Sequence, residues 1–180
     1  MATIHIFGLN HFLQNLPAQC STISGIEDEK QQKAYLRNAL QQMIAAHGVD
    51  HIADEAKVVH ESLGYEVAQG FGLPYTNITM PLGERERHGI RTPGYNRNPD
   101  DLQRAYRVFE KFMFDRIKAA NREVTLVLCG RRHLQGLADL FRTAKDDVKT
   151  YDIYDYEWYR GIPQEAVDGI VGYEREDDGT

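Results

Sequence analysis

One stretch constrains the fold of this chain more than any other, because it joins a buried strand to a helix through a single glycine. It reads Val124-Thr-Leu-Val-Leu-Cys-Gly-Arg-Arg-His133. The run of β-branched and aliphatic residues predicts a buried strand that ends at Cys129 and turns at Gly130. A helical pattern follows at once, so the spacing predicts that His133 lies in the first turn of a helix.

The same construction opens the chain, where Ile4-His-Ile-Phe-Gly-Leu-Asn-His11 again runs from a strand through a glycine to a histidine. Glycine lets the backbone turn tightly at the end of each strand. One Gly-x-x-His sequence carries little information, whereas two copies that each follow a predicted strand are more specific. We therefore predict that His11 and His133 lie at the same edge of one sheet. His5 lies inside the first strand, where we interpret it as a structural, hydrogen-bonded histidine.

Strand-like and helical patterns alternate along the rest of the chain. The predicted strands cover residues 2–8, 51–55, 75–80, 124–129 and 148–154, and the predicted helices cover residues 27–48, 60–70 and 99–120, with a fourth that starts near His133. This alternation predicts a single α/β domain over residues 1–173, with a mostly parallel central sheet of about five strands flanked by helices. Repeated glycines and prolines predict an irregular, arginine-rich loop over residues 81–99. The acidic and polar composition of residues 174–180 predicts a frayed tail.

Composition narrows the class of protein. A formal net charge of −6 at pH 7 argues against a general nucleic-acid-binding protein, which normally presents a basic face. Cys20 and Cys129 make no disulfide framework, and Cys129 falls in a predicted core strand, which suits a reducing compartment. Residues 1–20 lack the basic head and apolar run of a signal peptide, and no apolar stretch approaches the roughly 18 residues that cross a bilayer. We therefore expect a cytoplasmic protein that binds neither nucleic acid nor a membrane.

Polar side chains collect where the predicted strands end. His11 follows the first strand, Glu55 closes the second, and His133 follows the fourth. In open α/β sheets, ligands bind outside the carboxyl ends of the strands. Two imidazoles and a carboxylate suit either a divalent ion such as Mn²⁺, Co²⁺ or Zn²⁺, or general-base catalysis on water with Glu55 orienting the base. Asp54 and Glu61 are alternatives to Glu55, and all three carboxylates also fit plain surface charge.

Arginines in the predicted loop and beside the fourth strand suit an anionic substrate. We favour Arg85 as an electrostatic helper in catalysis, although Glu84 and Glu86 also fit as neighbours that neutralise it on a solvated surface. Arg131 and Arg132 are candidates for substrate binding, because they precede a predicted helix whose N-terminal dipole also favours an anion.

The turn after the first strand supplies two further polar side chains. Asn10 and Gln14 are candidates for substrate binding or for orienting His11, and a capping or loop role fits them equally well. The sequence contains no H-E-x-x-H metalloprotease motif, no phosphate-binding loop and no G-x-S-x-G nucleophile elbow. The chemistry therefore has to be argued from the strand-end residues alone.

Taken in order, these motifs resemble those of a known superfamily. Gly8-Leu-Asn-His11, Ala53-Asp-Glu55, Glu84-Arg85 and Leu128-Cys-Gly-Arg-Arg-His-Leu134 follow one another within residues 3–155. They resemble the TIKI/TraB superfamily, which includes ChaN-type haem-binding proteins and the erythromycin-esterase group, and in particular a compact bacterial branch of it. Where that branch commonly has two glutamates this chain has Asp-Glu, and two arginines replace small or amide residues before the second histidine, which changes the expected charge of the pocket.

The resemblance implies a pocket at the strand ends and, most often in the superfamily, hydrolase activity. Some members look like metal-dependent peptidases, some open an ester with a His and a Glu, and some bind haem. We therefore expect a small hydrolase that acts on an ester, amide or related bond of a small molecule or peptide. Its catalytic residues would be His11, Glu55, His133 and Arg85, and the first three would be the ligands where a metal is present. The alternatives are a non-catalytic protein that binds haem or another small molecule, and a component of a larger complex. The Tyr- and Trp-rich segment 155–174 either wraps the body of the protein or meets a partner, which includes a second copy in a homo-oligomer.

Overall fold

The computed structural model describes residues 1–10, 29–90 and 99–159 of the chain. The strands are β1 (Thr3–Leu9), β2 (His51–Asp54), β3 (Tyr75–Asn77), β4 (Val124–Gly130) and β5 (Asp147–Asp152). The helices are α1 (Glu29–His47), α2 (Leu63–Phe71), α3 (Leu82–Arg87), α4 (Pro99–Ala120) and α5 (Leu134–Thr143). Short 3₁₀ turns lie at Val59–Glu61, Arg131–His133 and Ile153–Asp155. None of the helices in these described ranges combines the length and the apolar surface that crossing a membrane requires.

All five strands run parallel in one sheet, whose order is β3-β2-β4-β1-β5. Because β4 lies between β2 and β1, Leu9 pairs with Gly130 and Asp54 pairs with Leu128. The carboxyl ends of these three strands therefore meet at one edge. This architecture confirms the predicted α/β fold with a central parallel sheet of five strands flanked by helices.

An apolar core covers each face of the sheet. Helices α1 and α2 pack on one face, and α4 and α5 pack on the other. Side chains alternate between the two cores along β1 and β4: Phe7 and Leu128 belong to the first core, whereas Ile6 and Val127 belong to the second. Both strands are thus buried on both sides, which explains why their sequences are almost continuously apolar.

Helix ends follow the signals that the sequence carries. Gly48 and Gly72 lie directly after α1 and α2 with φ near +63°, the left-handed conformation that favours glycine. Helix α2 begins at Ser62, whose hydroxyl oxygen accepts hydrogen bonds from the backbone N–H groups of Gly64 and Tyr65. The predicted end of α1 at Gly48 is confirmed.

The structure differs from the prediction at the third strand. It was expected over residues 75–80 but ends at Asn77. The Asn77 side chain accepts a hydrogen bond from the Thr79 backbone at 2.9 Å and donates one to the Ala56 carbonyl at 3.0 Å, so the chain turns there.

The predicted irregular loop over residues 81–99 was wrong in its first part, where the structure contains helix α3. Pro81 precedes that helix, Glu84 and Arg87 form an ion pair at 2.5 Å one turn apart, and Gly89 follows with φ near +65°. The alternation of acidic and basic residues therefore supports a short helix in spite of the surrounding glycines and prolines. Residues 91–98 lie outside the described part of the chain.

The beginning of the Tyr- and Trp-rich segment packs on the body of the molecule. The Tyr156 ring stacks on Phe7 with centroids 5.3 Å apart, and Trp158 contacts Tyr35 at 5.9 Å. Tyr159 is buried in the core on the α1 side. Residues 160–180, which include the predicted acidic tail, lie outside the described residues.

Candidate functional site

The carboxyl edge of the sheet has the arrangement that opens a ligand crevice in parallel sheets. Strand β2 leads into α2 on one face, whereas the neighbouring β4 leads into α5 on the other face. Where two neighbouring strands connect to helices on opposite faces of the sheet, the two connections diverge and leave a crevice between them. Such a position is called a topological switch point, and ligands usually bind there in open α/β sheets. Glu55 and His133 both lie at this edge, directly after the ends of β2 and β4.

The two glycines of the Gly-x-x-His patterns do not act as predicted. Gly8 lies inside β1, where an added Cβ would come within 3.2 Å of Leu134 Cδ2 and 3.3 Å of Arg131 Cα. Glycine at this position therefore allows the turn after β4 to approach β1 closely. Gly130 has φ −56° and ψ 136°, which other residues adopt freely, so its conformation does not require glycine.

His133 lies between two carboxylates. Its Nδ1 atom is 3.4 Å from Glu110 Oε1, and its Nε2 atom is 3.8 Å from Glu55 Oε1. The side chains are largely buried, with exposed fractions of 8% for His133, 10% for Glu110 and 17% for Glu55. The rings of Tyr106 and Phe109 meet the imidazole edge-on, with centroids 5.3 and 6.1 Å away. The sequence predicted that His133 lies in the first turn of a helix. In the structure His133 is instead the last residue of the 3₁₀ turn that precedes α5.

Glu55 is fixed by the strand next to it. Its Oε2 atom accepts a hydrogen bond from the backbone N–H of Gly130 at 2.8 Å, which leaves Oε1 facing His133. Asp54, one of the alternatives, is fully buried on the other side of β2, where it accepts hydrogen bonds from the hydroxyl groups of Ser62 and Tyr75. Of the carboxylates considered from the sequence, Glu55 is therefore the one that meets the histidine.

Glu110 is the site residue that sequence reasoning missed. It lies in the middle of α4 and is buried, with its carboxylate against Gly136 of α5. An added Cβ on Gly136 would come within 2.1 Å of Glu110 Oε2, so the glycine makes room for this carboxylate. A signal was present in the sequence, since residue 110 shares the apolar face that carries Tyr106 and Met113 at helical spacing. A charged residue on a core face needs a partner, and here the partner is His133.

The neighbours of His133 favour its charged form. Burial by itself lowers the pKa of the imidazole. The hydrogen bond to Glu110 and the negative charges of Glu55 and Glu110 outweigh burial and the opposing charge of Arg132, and the pKa of His133 is raised above its ordinary 6.5. The site therefore holds an imidazole that stays protonated to a higher pH than a free histidine.

The three predicted arginines surround this centre in different ways. Arg131 forms an ion pair with Asp152 at 2.6 Å and lies over the Tyr154 ring. Arg132 donates a hydrogen bond to the Tyr106 hydroxyl at 2.9 Å. Arg85 donates from Nε to the Met80 carbonyl at 3.0 Å, and its guanidinium lies 5.3 Å from the centroid of the Phe109 ring. Phe109 thus contacts both the Arg85 guanidinium and the His133 imidazole.

Two predicted site residues, His11 and Gln14, lie outside the residues that the structure describes. Asn10 is described, and its side-chain amide donates a hydrogen bond to the Tyr159 hydroxyl at 3.0 Å. Within residues 1–10, 29–90 and 99–159, no three His, Cys, Asp or Glu side chains are arranged to hold a metal ion. The metal site predicted for His11, Glu55 and His133 stays a prediction, because one of its three ligands is not described.

Other buried histidines have structural partners, as predicted for His5. His5 lies within hydrogen-bond distance of the Tyr151 hydroxyl at 3.0 Å, and burial lowers its pKa. Both ring nitrogens of His51 contact threonine hydroxyls, at 3.2 Å to Thr125 and 2.9 Å to Thr76, and burial lowers its pKa to about 4. Burial therefore favours the neutral form of these two imidazoles, whereas the neighbours of His133 favour its charged form.

A cavity of about 350 Å³ lies at the opposite edge of the sheet, near the amino ends of β1 and β4. Ile4, Lys118, Arg122 and Thr125 are among its lining residues, whereas none of the predicted site residues lines it. Its position therefore gives no support to the chemistry predicted from the strand ends.

Comparison with known protein families, curated proteins and solved structures found no significant match to the chain. The resemblance to the TIKI/TraB superfamily stays a prediction from the motifs.

Proposed function

We propose that the protein is a small hydrolase in which Glu55 and His133 act on an ester, amide or related bond. The observation that carries this proposal is the His133 imidazole held by Glu110 on one side and facing Glu55 across 3.8 Å on the other, at a switch point of the sheet. That separation exceeds a direct hydrogen bond, and a water molecule or substrate oxygen in contact with both atoms would bridge it.

The raised pKa of His133 supports one assignment of the catalytic roles. Near neutral pH the imidazole carries a proton to a greater extent than a free histidine does, so it suits a general acid, and the Glu55 carboxylate suits a general base. Water would lose a proton to Glu55 while its oxygen attacks the carbonyl carbon. The leaving oxygen or nitrogen would take the proton from His133 Nε2 as its bond to carbon breaks. Glu110 does not touch the substrate in this scheme and orients the imidazole through Nδ1.

The test is a screen of ester, amide and phosphoester substrates with purified wild-type protein and the variants Glu55→Gln and His133→Gln. Glutamine at 55 keeps an oxygen for the Gly130 N–H and removes only the charge. Each substitution should lower kcat by about 10²- to 10⁴-fold, the usual contribution of a general acid or base. Glu86→Gln and His88→Ala change the same residue types at exposed positions and should leave kcat unchanged.

Two further arms address the metal and the remaining histidine. Elemental analysis of the purified protein, and the same screen with Mn²⁺, Co²⁺ or Zn²⁺, test the metal-dependent form of the reaction. His11→Ala should also lower the rate if His11 belongs to the site, as the sequence predicts. Full activity in folded Glu55→Gln and His133→Gln variants would refute the proposal. A haem Soret band that forms on titration and is lost in His133→Gln would support the non-catalytic alternative instead.

We also propose a cytoplasmic location and a homo-oligomer. The buried, unpaired Cys129 thiol supports the first, since free thiols persist in reducing compartments. The second rests on the Tyr- and Trp-rich sequence of residues 155–174, and light scattering of the purified protein measures its mass in solution. A monomer at all concentrations would refute the second.

A further inference from the structure

We infer that the substrate of this site carries an anionic group, a carboxylate or a phosphate, which Arg85 binds. This inference rests on the proposed hydrolase function, because the bound anion is a substrate only if the protein is an enzyme. The observation behind it is a guanidinium that is held in place beside the site without a carboxylate partner in the described part of the chain.

The position of Arg85 is set by two contacts that leave its terminal nitrogens available. Nε donates to the Met80 carbonyl at 3.0 Å, and the planar group lies over Phe109. The side chain is half-buried, so its long stem is already restricted in the absence of ligand. An arginine held in this way loses less conformational entropy when it binds an anion than a free surface arginine does.

The acidic residues expected to neutralise Arg85 do not do so. Glu84 pairs with Arg87 at 2.5 Å, and Glu86 is exposed to solvent. Among residues 1–10, 29–90 and 99–159, no carboxylate lies within ion-pair distance of Arg85, whereas Arg131 has such a partner in Asp152. The alternative of a neutralised, solvated arginine is therefore not supported for Arg85.

The same ring connects this arginine with the proposed catalytic pair. Phe109 contacts the Arg85 guanidinium on its face and the His133 imidazole edge-on. Arg85 and His133 therefore share Phe109 as a neighbour, and a ligand bound by Arg85 would have to extend past this ring to reach the imidazole. The centre holds two carboxylates, Glu55 and Glu110, and one imidazole that favours its charged form, so an anionic ligand needs a further cation to offset the repulsion of the second carboxylate. The rigid fork of arginine matches the oxygens of a carboxylate or a phosphate.

Binding is measured first, without turnover. Glutarate and inorganic phosphate are titrated separately into the ¹⁵N-labelled wild-type protein and the variants Arg85→Gln, Arg85→Lys and Arg87→Gln, with chemical-shift changes followed by NMR. Arg85→Gln should weaken binding of the recognised anion by about 10- to 100-fold, the range for a lost charged hydrogen bond. Arg85→Lys should restore part of the affinity, because it restores the charge without the fork. Arg87→Gln removes a guanidinium from the same helix and should have no effect.

Turnover is measured second, with p-nitrophenyl hemiglutarate and the neutral p-nitrophenyl valerate as a matched pair. Arg85→Gln should raise KM for the anionic ester by about the same factor as it weakens binding, with little change for the neutral ester. Preference for glutarate over phosphate would assign a carboxylate substrate, and the reverse would assign a phosphate.

The outcomes separate this inference from the proposed function. Anion binding that depends on Arg85 in a protein that hydrolyses neither these esters nor any substrate of the screen would support the anion site and refute the hydrolase. Hydrolysis of both esters with anion affinity unchanged in Arg85→Gln would support the hydrolase and overturn the anion site. Equal loss of affinity in Arg85→Gln and Arg87→Gln would also overturn it, because a general effect of net charge would then be sufficient.

Discussion

Replacing Gly136 with alanine tests whether Glu110 controls the charge of His133. The new methyl group would lie 2.1 Å from Glu110 Oε2 and 2.4 Å from its Cδ atom. Contacts this short do not occur, so the carboxylate has to move. Because it is the far end of a flexible side chain, it moves more easily than the two helices, and the contact with His133 Nδ1 at 3.4 Å is lost.

Two opposing free-energy terms determine the stability of this variant. Alanine in place of glycine inside a helix stabilises the folded state by about 1 kcal/mol. Loss of a hydrogen bond to a charged group costs about 1.5 to 3 kcal/mol. We therefore expect Gly136→Ala to lower the free energy of unfolding by about 0.5 to 2 kcal/mol. The pKa of His133 should fall, since burial continues to lower it while the hydrogen bond that raises it is gone.

Urea unfolding at pH 7 measures the first effect, and an NMR pH titration of the His133 ring protons measures the second. Gly70→Ala is the matched control. Gly70 lies in α2, and an added Cβ there meets no atom within 4 Å, so this substitution should stabilise the protein by about 0.4 to 1 kcal/mol. A Gly136→Ala variant that gains as much stability as Gly70→Ala and keeps the wild-type pKa of His133 would show that Glu110 does not hold the imidazole.

Two further predictions concern the fold. The unfolded chain protonates His51 near pH 6.5 and the folded protein only near pH 4, so the unfolding free energy should fall as the pH drops through this window. We expect the protonation of His51 to lower the free energy of unfolding by about 2 kcal/mol between pH 7 and pH 4.5, as measured by urea unfolding at the two pH values. An equal free energy of unfolding at both pH values would contradict this prediction. Gly64→Ala would place a Cβ 2.5 Å from Asp54 Oδ2 and 2.7 Å from Leu128 Cδ1. It should therefore destabilise the protein by about 1 to 3 kcal/mol in thermal unfolding, and a rise in Tm would contradict it.

The parts of the fold that the sequence predicts well are those that local patterns determine. The apolar runs of β1 and β4, the stripe of α1 and the glycine that ends it each reflect the immediate surroundings of the residues involved. Helix α3 was missed because glycines and prolines around it resemble a loop, while its ion pair between Glu84 and Arg87 forms only once the helix exists. The end of β3 was misplaced because the bond from Asn77 to the Ala56 carbonyl joins two segments.

The same distinction between local patterns and tertiary contacts applies to the candidate site. Position in the chain was sufficient to place Glu55 and His133 at one edge, since both follow parallel strands. It was not sufficient to decide what the histidine does, because His5, His51 and His133 are all buried. Burial lowers the pKa of the first two, whose ring nitrogens contact hydroxyl groups, whereas the carboxylates of Glu55 and Glu110 raise the pKa of the third. The charge of a buried histidine is thus a property of the tertiary neighbours. In this chain the charge of His133 depends on Glu110, although no sequence motif surrounds Glu110. The Gly-x-x-His pattern gives the position of His133 in the chain and does not determine its charge.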